Sequence, residues 1–374
     1  MLERLTGEVG SKNGNALLRA VWQGDADDLH LLSQARHAFM LAIHGLALSR
    51  RGVPCVWFPD YFCESGLSSV RRSGAQVAFY PVTNSLTPDW NACREMAVRQ
   101  RPDLFVLVHY FGREAEGQNA RAFCDEVGAL LLEDAAHVMR PRGTIARHGD
   151  LICYSPNKFF PVPDGGILVV RGSELSQCVA KTAQGQPRAR APAIHWVAKR
   201  LVRSIKRHML PRKPPRPLPT TTLDAELSGT APFVQLWMSR FSRWRLERSF
   251  RSNEAEQLAN ALLTGHRHLS SCLAGYGDMQ PIGFADHLIP YLTVMQCNDE
   301  TRAGRYLNEL RSAGVEAFTW PELPPEVRAD QGRHREALRL RRTLLCCTLG
   351  WRCNGTLTEF LATLPQNYTP DVWH

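Results

Sequence analysis

Apolar and polar positions along the first half of the chain repeat with two alternating periods. "QARHAFMLAIHGLALSRRG" places Phe39, Ile43, Leu46 and Ala47 on one face of a helix. "PCVWF" is a short apolar strand, and "FCESGLSSVRRSG" is a helix that stops at Gly74. The strand "AQVAFYPV", the helix "PDWNACREMAVRQR", the strand "LFVLVHY", the helix "QNARAFCDEVG" and the strand "ALLLE" come next, and "LICYS" and "GILVV" complete the series. Strands this uniformly apolar, separated by helices, predict an α/β fold with a mostly parallel sheet between helices. Ligands of such sheets collect beyond the carboxyl ends of the strands, where Tyr110, Asp134 and Ser155 fall.

A second pattern begins after a block rich in proline and arginine. "APFVQLWMSRFSRWRLERSFRSNEAEQLANALL" predicts one long helix with an arginine-lined polar face. The strand "PYLTVMQ", the helix "DETRAGRYLNELRSAG", the strands "VEAFTW" and "RTLLCCTL" and the helix "LTEFLATL" predict a smaller α+β unit. The expected organisation is a large domain over residues 1–171, a basic bridge or insertion over 172–219, and a long helix with a small α+β domain over 220–374.

Composition narrows the class. A chain of 374 residues buries a substantial core, and no apolar run reaches the roughly 18 residues of a membrane span. The opening "MLERLTGEVGSKNG" is no hydrophobic targeting segment, and eleven cysteines without a disulfide rhythm fit reduced thiols, so a cytoplasmic protein is expected. "LLCCTLGWRCN" has neither a C-x-x-C pair nor a histidine cluster, and no metal site is expected. The net charge of +9 is concentrated between Arg188 and Arg216, where no acid occurs. Ile194, Val197, Leu201 and Ile205 give that block helical amphipathicity, so it is either an insertion packed on its own protein or a contact for an anionic surface. Aromatics do not interleave with its cations, which argues against nucleic acid as a partner.

The chemistry points to residues 130–170. Only six of the 45 basic residues are lysines, yet Lys158 stands in the polar turn "SPNKFFPVPDGG". Lysine alone among the basic side chains can lose its proton and condense with an aldehyde. By itself Lys158 reads equally as a solvated loop residue. Asp134, at the carboxyl end of "ALLLE", adds a carboxylate of the kind that keeps a heterocyclic nitrogen protonated, as pyridoxal 5'-phosphate requires. His137 lies one helical turn further on.

The order "EDAAH" (133–137), "GDLICYS" (149–155), Lys158 and "DGGILVV" (164–170) resembles the DegT/DnrJ/EryC1/StrS family of fold-type I, PLP-dependent aminotransferases. "VLVHYFG" (106–112), "SRWRLERSFRSNEAEQLANAL" and "LRSAGVEAFTWPELP" extend the resemblance over most of the chain. It implies that Lys158 forms the Schiff base with the cofactor and moves the proton, and that Asp134 partners the pyridine nitrogen. It also implies that His137 meets the ring or its 3-oxygen, and that Ser155 holds the phosphate with amides near Ala35, Arg36 and His37. Tyr61 or Phe62 would cover the ring. Where the family reads S-G-T-x-A-L this chain reads Q-A-R-H-A-F, which puts Arg36 beside the expected phosphate. The implied reaction moves an amino group from an amino acid, glutamate by expectation, to a carbonyl acceptor such as a keto-sugar nucleotide, in a homodimer. Another PLP reaction at an amino acid, by acyl transfer or elimination, and a non-catalytic PLP-binding relative are the alternatives.

Overall fold

The computed structural model describes residues 15–184 and 236–349, apart from residues 25, 27, 275, 277, 313 and 314. Seven strands form the larger sheet: β1 (Asp28–Leu32), β2 (Cys55–Pro59), β3 (Gln76–Tyr80), β4 (Leu104–Val108), β5 (Leu130–Ala135), β6 (Leu151–Tyr154) and β7 (Gly166–Val170). Their order is β1-β7-β6-β5-β4-β2-β3. Only β7 runs against the rest, pairing antiparallel with both β1 and β6. Strands β2, β4, β6 and β7 are buried along their whole length and β5 along nearly all of it, so a continuous apolar run rather than an alternating one is what the sheet requires. The mostly parallel sheet predicted from the apolar runs is present.

Helices α1 (Ala16–Trp22), α2 (Arg36–Arg50), α3 (Glu64–Arg72), α4 (Trp90–Arg99), α5 (Gly117–Val127) and α6 (Ser173–Gln184) accompany these strands. Local chemistry sets their ends: Asp89 accepts from the amides of Asn91 and Ala92 to cap α4, and Gly128 takes φ 75° to stop α5. Helix α6 corrects the sequence expectation, which assigned everything from residue 172 to a bridge. It packs on α2 so closely that a Cβ at Gly45 would sit 2.6 Å from Val179 Cγ2. The run "SELSQCVAKTAQ" buries Leu175, Val179 and Ala183, a periodicity that the neighbouring prolines and arginines hid.

The predicted long helix is instead two, α7 (Arg240–Arg251) and α8 (Glu254–Ala274), broken where Asn253 adopts φ 59°. A four-stranded sheet, in the order β10-β11-β9-β8, is built from β8 (Gln280–Pro281), β9 (Leu292–Gln296), β10 (Ala317–Thr319) and β11 (Leu344–Thr348). Helices α9 (Glu300–Ser312), α10 (Pro325–Ala329) and α11 (Arg335–Thr343) complete it. The basic segment 188–216 and the predicted helix 357–364 lie outside the described residues.

Polar clamps join the two sheets. Arg71 donates to Glu64 (3.0 and 2.9 Å) and to Glu326 (2.7 and 2.9 Å). The Glu64 amide donates to the Glu322 carbonyl at 2.9 Å, and His334 Nδ1 meets Asp60 Oδ2 at 2.9 Å in the interior. Between these clamps Trp320 fits against Tyr61, Tyr110, Phe111 and His137.

Two helical glycines should respond oppositely to alanine. Gly265 in α8 meets only one atom, Leu349 Cδ2, at 3.7 Å, so Gly265→Ala should stabilise the fold by about 0.5–1 kcal/mol through helix propensity. Gly45→Ala must displace α6 and should lower stability by about 1–3 kcal/mol despite the same propensity gain. Thermal unfolding of the two variants beside the parent measures both signs.

Candidate active site

The carboxyl ends of β4, β5 and β6 bring the chemically distinctive residues together. Asp134 pairs in register with Val108 on β4 and Cys153 on β6, and its side chain is buried. Its Oδ1 accepts the Ala136 amide at 2.9 Å. Burial pushes its carboxyl above the ordinary range, while the Ala136 amide, the Lys158 ammonium and His109 pull the other way.

Lys158 closes the 3-10 turn Pro156–Lys158 that comes after β6, with its amide donating to the Ser155 carbonyl at 3.0 Å. Its side chain is accessible, although the surrounding protein desolvates its amine. The two facts describe a side chain lining a recess. Desolvation there lowers its proton affinity; Asp134, Cys63 and Cys153 act in the opposite sense. Ser155 is buried and its Oγ donates to Asn157 Oδ1 at 2.8 Å.

The turn "PDGG" explains how this lysine turn reaches the start of α2. The Gly165 amide donates to the Ser33 carbonyl at 2.7 Å. A Cβ at Gly166 would lie 2.3–2.5 Å from the backbone of Gln34 and Ala35, and one at Gly165 would lie 3.0 Å from the Asn157 amide nitrogen. The approach at 166 leaves no room for a side chain, and one at 165 would force the Asn157 backbone to give. Ala35 and Arg36 therefore stand next to the Ser155–Lys158 turn. Arg36 Nε is buried without a hydrogen-bond partner among the described residues, and burial, then Arg72, lowers its proton affinity. His37 departs from expectation. Its amide donates to the Gln34 carbonyl at 3.1 Å and its buried ring meets Ser33 Oγ at 3.1 Å. Burial, then Arg36 and Arg72, brings that imidazole down to about 4.

His137 is buried, accepts the Phe111 amide on Nδ1 at 3.2 Å, and stacks on Tyr291 at 4.5 Å. Burial and then Lys158 keep it far below its ordinary value, so it is neutral with its proton on Nε2. The turn that supplies the amide is strained, with Phe111 at φ 62° and Gly112 at φ 90°. Tyr61 and Phe62 correct the expectation that one of them covers a ring. Tyr61 is fully enclosed and stacks on Trp320 at 5.2 Å, and Phe62 packs against Phe58 and Phe39. Both rings are committed to the core.

Comparison with known proteins bears on the fold that carries these residues. Residues 32–194 match the model of the DegT/DnrJ/EryC1/StrS aminotransferase family. The fold as a whole is similar to that of a DegT DnrJ EryC1 StrS aminotransferase from Brucella abortus, with a TM-score of 0.68 at 12% identity over 96% of this chain and 91% of that one. It is also similar to DesV from S. venezuelae, solved in complex with a ketimine intermediate, with a TM-score of 0.66 at 16% identity over 96% and 90% of the two chains. A serine hydroxymethyltransferase from Nostoc sp. is 31% identical over 136 residues, 32% of this chain and 31% of that protein. The chain thus spans less than half of the length of these curated relatives, about a third for the Nostoc proteins.

Two residues of the matched segment, Glu133 and His109, were not foreseen from the sequence. The fully buried Glu133 carboxylate accepts from His109 Nε2 (2.8 Å) and from the amides of Ala146 (2.7 Å), His148 (2.8 Å) and Gly149 (2.5 Å). His109 Nδ1 accepts the Ala115 amide at 3.1 Å, which fixes its proton on Nε2. The only sequence signal was an acid inside an apolar strand. Burial disfavours the Glu133 charge, but the His109 contact and the backbone donors win and hold it at about 2.

A carboxyl at about 2 when folded, against 4.5 as its unperturbed value, stabilises the fold fully above pH 4.5 and loses that contribution as pH falls toward 2. The expected loss is on the order of 3 kcal/mol. Denaturation of the parent across this window should show it, and Glu133→Gln should flatten the slope while lowering stability near neutrality.

Proposed function

We propose that this protein is a PLP-dependent aminotransferase that transfers an amino group from glutamate to a carbonyl acceptor, a keto-sugar nucleotide by chemical class. The observation that supports the reading most is that a buried carboxylate, Asp134, and the amine of Lys158 stand at the ends of neighbouring strands, each shifting the other's proton affinity.

The residues fit the cofactor. Asp134 would keep a pyridine nitrogen protonated. Neutral His137 has a free proton on Nε2 to donate to a 3-oxygen. Ser155, the start of α2 and the unpartnered Nε of Arg36 suit a phosphate dianion. Bound pyridoxal phosphate supplies an electron sink for the substrate α-carbon. Lys158 would hold the cofactor through its amine and would serve as the base that carries a proton from the donor's α-carbon. Burial lowers the lysine's proton affinity, which enlarges the fraction of free amine available for both tasks. The reading includes a homodimer with isologous contacts.

A second reading keeps the cofactor but runs another reaction at an amino acid; the similarity to serine hydroxymethyltransferase over part of the chain favours it. Glutamate separates the two. The parent protein with pyridoxal phosphate should gain a visible absorbance that glutamate discharges and a keto-sugar nucleotide restores. An absorbance that glutamate never alters would contradict transamination. Lys158→Ala and Lys158→Arg should both lack the absorbance, the latter despite its preserved charge. Asp134→Asn should keep it while slowing the glutamate-driven change by about 100-fold or more in stopped-flow traces.

A further inference from the structure

Lys158 has no acidic side chain within ion-pair distance among the described residues, although Asp134 acts on it through the recess. What stands against its amine is a ring. Lys158 Nζ lies 5.5 Å from the centroid of Tyr291, within the range of a cation–π contact. Tyr291 immediately precedes β9 and so comes from the smaller sheet. Its amide donates to the Phe111 carbonyl at 3.0 Å, and it stacks on His137 at 4.5 Å and 22°. Phe159 meets it edge-on at 5.4 Å. These three contacts hold the ring against the lysine. Burial pushes its hydroxyl up to about 12, so the ring faces the amine as a neutral phenol.

We propose that Tyr291 is a positioning residue for Lys158: the π face of a ring anchored on the smaller sheet, rather than an acidic partner, holds the ammonium in the recess and sets how readily it gives up its proton. The inference deepens the reading of Lys158 as the reactive amine. The other groups acting on this amine are Asp134 from β5, Cys63 from the residue before α3 and Cys153 from β6, with His137 neutral beside the ring. Asp134 serves two ends in that set, because a cofactor would claim its charge. The ring makes no such second commitment, so its hold on the amine persists whatever Asp134 does. A ring in place of a carboxylate also suits a base that must alternate between charged and neutral forms: it favours the cation weakly, whereas a close ion pair would lock it.

The test reads Lys158 directly. The parent protein without added cofactor is reductively methylated with formaldehyde across a pH series, and the rate on the Lys158 peptide is tracked by mass spectrometry. Its midpoint reports the loss of the lysine proton. Tyr291→Phe, which keeps the face, should leave the midpoint unchanged. Tyr291→Leu should lower it by about half a pH unit, since the charged form loses the ring that favours it. Phenylalanine carrying electron-withdrawing fluorines at position 291 preserves shape and should lower the midpoint progressively with fluorination, which guards against a leucine variant that folds poorly. A midpoint that stays constant through the fluorinated series, or a Phe variant that behaves like Leu, would overturn the proposal. Visible absorbance with pyridoxal phosphate, recorded on the parent alongside, reports separately on the aminotransferase reading: its absence would defeat that reading without touching the midpoints.

Discussion

A buried carboxylate with four N–H donors holds the working end of this molecule in register. Glu133 gathers His109 at the end of β4 and the amides of Ala146, His148 and Gly149 in the connection to β6. Leaving any of those donors unsatisfied in the interior costs on the order of 1–3 kcal/mol, so the three segments have one low-energy arrangement. Asp134 is the next residue on the same strand and inherits its position. Through His109 the network also orders Ala115, on the far side of the turn whose Phe111 amide seats His137.

The second constraint is steric. Gly165 and Gly166 allow the lysine turn and the start of α2 to touch backbone to backbone. A side chain at 166 would push the backbone of Gln34 and Ala35 away from this turn. The site is thus assembled from one saturated acid and two missing side chains, and the groups that carry chemistry sit on these supports. Neutral His137, protonated Tyr291 and the poised amine of Lys158 result from low local polarity combined with a small number of fixed dipoles.

Much of this was legible in the chain. Continuous apolar runs reveal buried parallel strands, and an acid at the end of "ALLLE" and then a lone lysine after "LICYS" mark the ligand end of the sheet. The hidden parts share a physical cause, which is that they depend on partners far away in sequence. Tyr291 gains meaning only when β9 docks beside Phe111, and Tyr61 loses its expected role because Trp320 arrives from 259 positions later to occupy its face. Helix α6 was obscured by the proline- and arginine-rich composition of the segment after it, although Val179 answers to Gly45 across the interface. The break at Asn253 turns on a single left-handed residue within a pattern that is otherwise helical on both sides.

The central claim is that one lysine, held in a recess beside Asp134, is the amine that captures pyridoxal phosphate. Borohydride reduction of the cofactor-loaded protein, with peptide mapping afterwards, tests it most directly. The account predicts a single pyridoxyl group, on the peptide containing Lys158. A label on Lys181 or another lysine, or no label at all on a folded protein that binds the cofactor, would contradict it.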